Sequence, residues 1–307
     1  MLSLSTNWNL HRHTDGELLL REILDLGFGG VTIANGTKPS LMAGMKRMIR
    51  KGRIRAIALE GYFPAPPGFD EPEFTSRYHL TSTDAGDRAM ALRWSAQTLD
   101  YASDLGAQVQ LLDLGSTGMG DVTGSLARLA GSNRLHSRQY VKSKLKGIDR
   151  RSQISTRFLD RARKALDTLL PLARAKGVKL ALSSQWTLEA IPDEKEIQTL
   201  IHEYQDSGAL GYWHDFGAAQ VKTNLGFLGH EQWLQEIKPS VLGTFVHDVA
   251  WPDRPSRLPL GGMIRYRELL PLLPERTPFV WRIAPSIPPQ ELRQALTAWD
   301  DEFSLVS

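Results

Sequence analysis

Eight short apolar runs punctuate the chain, at 2–6, 30–34, 54–59, 108–112, 178–182, 210–213, 241–246 and 278–283. Most are apolar at successive positions instead of alternating, as expected of strands covered on both faces. Between them apolar residues recur at helical spacing. The stretch 17–26 carries them at 18, 19, 20, 23, 24 and 26. The stretch 84–105 opens beside three N-cap candidates, Ser82, Thr83 and Asp84, and stops at Gly106. The stretch 158–176 stops at Gly177, a C-cap placed just before the run VKLAL. Further helical stretches cover 194–204, 229–237, 265–273 and 289–303. Eight such strands interleaved with helical stretches in 307 residues predict an α/β chain folded as a single (β/α)8 TIM barrel spanning 1–307. An open doubly wound sheet is the competing arrangement. Its first βα turn would carry Gly-x-Gly-x-x-Gly, which is missing here, and 307 residues would more naturally form two such domains.

Two connections are over-long for a barrel. The loop 61–83 is rich in Pro, Gly and aromatic residues (YFPAPPGFDEPEF). The loop 113–151 begins with GSTGMGDVTG and turns basic from Arg128 to Arg151. Both are expected on the C-terminal face of the barrel, where sites are built. The basic stretch reads either as a solvated helical face or as an anion-attracting rim. Gly118 and Gly120 match no phosphate-loop spacing.

Composition narrows the chemistry. There is no Cys, so disulfides, thiolate metal sites and Cys nucleophiles are excluded. Lys and Arg number 37 against 34 Asp and Glu, a net +3 that is too small to suggest a nucleic-acid partner. No apolar run approaches the roughly 20 residues that span a bilayer. The N-terminal segment lacks the features of a secretory signal, and the expectation is a cytoplasmic protein without membrane association.

Polar residues collect at the predicted strand ends. They are His11, His13 and Asp15 after the first, Glu60 after the third, Asp113 after the fourth, and Ser183, Ser184 and Gln185 after the fifth. His214 and Asp215 follow the sixth, His247 and Asp248 the seventh, and Arg282 lies in the eighth. Polar groups pointing into a barrel mouth need partners, so their recurrence predicts a polar pocket. His247 is expected inward, with Asp248 orienting a group beside it. Trp186, Trp213, Trp251 and Trp281 also fall near strand ends, either as walls for stacking a sugar or as packing.

These residues carry a resemblance. The segments LSLSTNW with LLREILDLGFGGVTI, STDAGDRAMA with TLDYASDLGAQVQLLDLG, ALDTLLPLARAKGVKLALSS, GYWHDFGAAQ, VLGTFVHDVAWPDRPSRLPLGGMIRYRELLPLL and FVWRIAPSIPPQELRQAL follow one another over nearly the whole chain. In order and spacing the sequence resembles the sugar phosphate isomerase/epimerase superfamily, the xylose isomerase-like TIM barrels that include endonuclease IV. The resemblance implies a divalent metal held by a Glu ending the fifth strand, an Asp after the sixth, a His near the seventh and a Glu in the eighth. Here those positions read Ser183, Asp215, His247 and Arg282, with Asp248 completing the His-Asp pair. The His expected three residues after Asp215 is Ala218, and a later Asp-His pair is replaced by Ser256 and Arg257. Glu60 and Asp113 stand where many relatives carry His.

The replacements remove anionic ligands and add cations, so the metal site implied by the family is expected to be lost, with no cofactor in its place. Arg282 can occupy the vacated space, paired with Asp215, Asp113 or Glu60. The expected activity is metal-independent binding of a small anionic or polyhydroxylated molecule, with isomerase- or epimerase-type proton transfer. In that scheme His247 or Glu60 acts as base beside Asp215, Arg282 polarises a carbonyl, and Arg257, Asp113, Ser183 and Trp186 contact the substrate. The alternatives are a catalytically inactive barrel that binds a protein partner through its rim loops, and residual metal at His11, His13, Asp215 and His247. Fold alone does not choose among them.

Overall fold

The computed structural model describes residues 2–65 and 77–303. Its strands are β1 (Leu2–Ser5), β2 (Gly30–Ile33), β3 (Arg55–Glu60), β4 (Val109–Leu111), β5 (Lys179–Ser183), β6 (Leu210–Asp215), β7 (Val241–Val246), β8 (Asp248–Ala250), β9 (Arg254–Arg257) and β10 (Phe279–Trp281). The helices are α1 (Gly16–Asp25), α2 (Met42–Arg50), α3 (Ala85–Leu105), α4 (Val122–Gly131), α5 (Arg138–Lys176), α6 (Glu194–Glu203), α7 (Phe216–Asn224), α8 (His230–Ile237), α9 (Tyr266–Leu269) and α10 (Pro289–Phe303). Eight strands close into a barrel in the order β1-β10-β7-β6-β5-β4-β3-β2, each pair parallel. Each falls on one of the eight apolar runs. The predicted (β/α)8 TIM barrel is the fold observed.

The stretch 113–151 is not the loop its Gly-rich start suggested. It contains α4 and the first third of α5, a helix of 39 residues. Capping explains both starts. Asp121 accepts from the Gly124 amide, the buried Glu189 carboxylate accepts from the Val122 and Thr123 amides, and Ser137 accepts from Tyr140. Only part of the other long connection, 61–83, is described; residues 66–76 lie outside the described chain. Helix α7 also departs from the sequence reading, for a different reason. Seven of its residues, from Phe216 to Asn224, are buried, so it shows no polar face and no period.

Parity along the strands builds the floor of the mouth. Ala58, Val109, Leu111, Ala181, Trp213, Phe245 and Val280 point inward as one cluster. Leu59, Leu182, Val246 and Trp281 point outward into the core beneath the helices. Counting two residues on from Ala58, Trp213, Phe245 and Val280 gives Glu60, Asp215, His247 and Arg282, which therefore share one inward layer directly above the apolar one.

Trp213 fits inside the barrel because its neighbour across β7 has no side chain. A Cβ on Gly243 would lie 2.3 Å from the indole. The substitution Gly243→Ala is expected to destabilise the fold by about 1–3 kcal/mol through overpacking. Urea denaturation of the variant checks this, and an unchanged midpoint would contradict the packing described.

Candidate functional site

The four inward groups are linked. Arg282 places Nη2 3.2 Å from Glu60 Oε2 and Nη1 3.8 Å from Asp215 Oδ2. Its guanidinium lies 4.7 Å above the Phe245 ring, so the apolar layer supports the cation from below. Glu60 also accepts from the Ser5 hydroxyl at 3.1 Å. Asp215 caps α7 through the Ala218 amide at 2.8 Å and faces His247 Nε2 at 2.8 Å, both on Oδ1.

His247 has no exposed surface. Its Nδ1 accepts the Ser256 amide at 3.1 Å, which leaves Nε2 as the protonated nitrogen donating to Asp215. Ser256 makes this bond from a left-handed backbone, φ 59°. Gly217 leaves room for the ring; a Cβ there would sit 2.1 Å from Cε1. Trp186 packs on the outer side of the imidazole, with ring centroids 5.2 Å apart. Asp248 turns away from this layer. Its Oδ1 accepts from the amides of Val249, Met263 and Ile264, tying down the loop that carries Ser256.

The two carboxylates beside Arg282 are displaced in opposite directions. Burial is the largest influence on Glu60 and, with Asp215 nearby, raises its pKa against the opposing effect of Arg282 and Ser5. Burial also acts to raise Asp215, but His247, Arg282 and the Ala218 amide together bring it below its ordinary value. Asp215 is thus the more readily ionised of the two and Glu60 the more readily protonated.

A cavity of about 640 Å³ opens above the layer. Glu60 and Arg282 lie at its base, and Asn7, Asn35, Lys38, Ser40, His11 and His13 are among its walls. Of these, Asn35, Lys38 and Ser40 belong to the turn after β2, the one strand end at which the sequence reading named no residue. Polar side chains immediately after an apolar run were the available signal.

The remaining candidates are more dispersed. Ser183, half-buried at the end of β5, accepts from Gln185. Asp113 is exposed and closes a turn through the Gly115 amide at 2.9 Å. It lines a narrower crevice with Asn35, Tyr62 and Tyr78. Arg257 is exposed on β9 and is not among the residues lining the mouth cavity. His13 is taken by Glu22 at 2.6 Å.

The donors do not fit the divalent ion that the family resemblance implies. His247 has a hydrogen bond on each nitrogen and offers no lone pair. Oδ1 of Asp215 already accepts twice, and Arg282 holds the space between the carboxylates. Among the described residues no group of three or more His, Asp and Glu side chains is placed to hold a metal ion.

No protein-family model matches the sequence, and no curated protein matches it. Solved structures do. A D-tagatose 3-epimerase-like protein superposes with a TM-score of 0.68 at 16% identity, over 99% of this chain and 97% of that one. The 3-keto-D-glucoside 4-epimerase of E. coli gives 0.67 at 15% identity, over 98% of each chain. A probable 3-DHS dehydratase from Bacillus anthracis gives 0.64 at 11%, over 97% of this chain and 98% of that one. The structural neighbours are thus xylose isomerase-like TIM barrels, as the sequence resemblance implied. At these identities the likeness is one of fold.

Outward parity sends His214 behind the barrel wall, away from the mouth. Its Nε2 meets His230 Nε2 at 3.0 Å, and its Nδ1 meets the Tyr212 hydroxyl at 3.0 Å. His230 Nδ1 faces Gln220 Oε1, an acceptor, so His230 carries its proton there and accepts from His214. Burial holds His214 well below its ordinary value and takes His230 down to about 3. Below pH 6.5 the unfolded chain binds protons that these imidazoles refuse, so stability falls as pH drops from 6.5 toward about 3. Each imidazole contributes a slope of about 1.4 kcal/mol per pH unit. In His230→Gln the dependence is expected to be shallower by about one such slope, measured by urea midpoints across that range. A variant curve parallel to wild type would contradict neutral burial.

Proposed function

We propose that the barrel mouth binds a small polyhydroxylated, sugar-like carbonyl compound and moves a proton beside the carbonyl without a metal ion. The single observation that carries this reading is the guanidinium of Arg282, held between Glu60 and Asp215 at the base of a 640 Å³ cavity. A planar cation there can polarise a carbonyl oxygen as it gains negative charge. Glu60 takes the role of base, because both nitrogens of His247 are committed. Asp215 and His247 act by orienting Arg282. A negatively charged substituent would be accommodated at the outer wall, where Lys38 and His11 lie. The structural neighbours named as sugar epimerases agree with this substrate class.

Deuterium incorporation from heavy water at the carbon next to the carbonyl, followed by NMR over a panel of keto-sugars with chelator-treated protein, tests the proposal. Glu60→Gln is expected to lose about 10²–10⁴-fold in exchange rate. Because the ionised carboxylate is the active form, exchange should rise with pH along a limb centred above the ordinary 4.5 of a glutamate. Full exchange in Glu60→Gln, or activity only with an added divalent cation, would refute the scheme.

A further inference from the structure

The opposite end of the barrel carries a second cavity, of about 670 Å³. It lies where β1, β3 and β10 begin and where α2 and α3 end, far along the strands from the mouth. Leu2, Ile54, Ile57, Leu273 and Phe279 give it apolar walls. Its charged lining residues are Arg55 and Arg276, and no Asp or Glu is among the residues that line it. Neither arginine forms an ion pair among the described residues, whereas each Lys and Arg of α1 and α2 does.

Backbone geometry singles out Arg276. It sits in a left-handed conformation, φ 62°, in a turn closed by the amide and the hydroxyl of Thr277, both donating to Pro274 O. Glycine would meet that conformation at no steric cost, so a long cationic side chain held there points to a use for the side chain. Arg55 is fixed differently, through the pairing of β3 with β2 and its amide bond to Gly29 O. Two full positive charges exceed the partial negative charges at the carboxyl ends of α2 and α3, which face the same space.

We propose that this cavity is a ligand site, separate from the mouth, for an amphipathic anion: one carboxylate, sulfonate or phosphate group on an apolar body. The acidic group pairs with Arg55 and Arg276, and the body lies against Leu2, Ile57, Leu273 and Phe279. The volume falls within the range that encloses small organic ligands. Two cations with no carboxylate among the lining call for an acidic group, and the apolar walls call for a body that a bare inorganic anion lacks, so the combination of chemistries defines the class.

Anilinonaphthalene sulfonate is the probe, and N-phenylnaphthylamine, the same ring system without the acid, is its control. The native chain is expected to bind one equivalent of the sulfonate saturably, with a blue-shifted rise in fluorescence, and to bind the neutral amine more weakly. Arg55→Ala/Arg276→Ala, two exposed positions whose loss should leave the melting temperature unchanged, is expected to weaken the sulfonate about tenfold or more. Hydrogen exchange in the complex should slow over 49–57 and 270–279. Absence of saturable binding, equal affinity for the neutral ring, affinity unchanged in the double variant, or protection confined to the mouth would each overturn the assignment.

Discussion

Arg282 sits between two buried carboxylates, and the rest of the mouth is arranged around that charge. A lone guanidinium above an apolar floor would be costly to bury, and so would Glu60 or Asp215 without it. Together they form a cluster in which each member satisfies another, and Phe245 supports the cation from beneath. The same arrangement separates the two acids. Asp215, which collects His247 and the α7 amide as well, is held below its ordinary pKa, whereas burial raises that of Glu60.

Secondary elements beyond the barrel wall serve that cluster. The hairpin of β8 and β9 brings the Ser256 amide to His247 and so sets the tautomer that donates to Asp215. Asp248, one residue after His247, binds the far end of the same loop. Tyr266, at the start of α9, donates to the His247 carbonyl at 3.0 Å. The imidazole is thereby fixed at both ring nitrogens, at its backbone and by the tilted Trp186 ring, which suits a group that orients a neighbour more than one that exchanges protons.

Much of the fold was legible because continuous apolar runs and Gly or Asp caps are local signals. The runs located all eight barrel strands, and Gly106 and Gly177 ended α3 and α5 as expected. Segments whose structure depends on distant partners were not legible. Helix α4 is capped by Glu189, far along the chain, and α7 is buried on every side and so carries no period. In the site, strand parity alone aligned Glu60, Asp215, His247 and Arg282. Spacing could not tell that Asp113 would close a turn, that His13 would be claimed by Glu22, or that Asn35, Lys38 and Ser40 would wall the cavity. Those outcomes depend on loop paths, which residue type constrains only weakly.

The proposed function requires that a side-chain cation serve where a bound dication would otherwise act, and direct titration with Mn²⁺ tests it most simply. Electron paramagnetic resonance of the purified chain, after gel filtration with excess Mn²⁺, should show no retained stoichiometric ion, because His247 presents no lone pair and Arg282 holds the space between the acids. One tightly held equivalent that is released by Asp215→Asn would contradict the account.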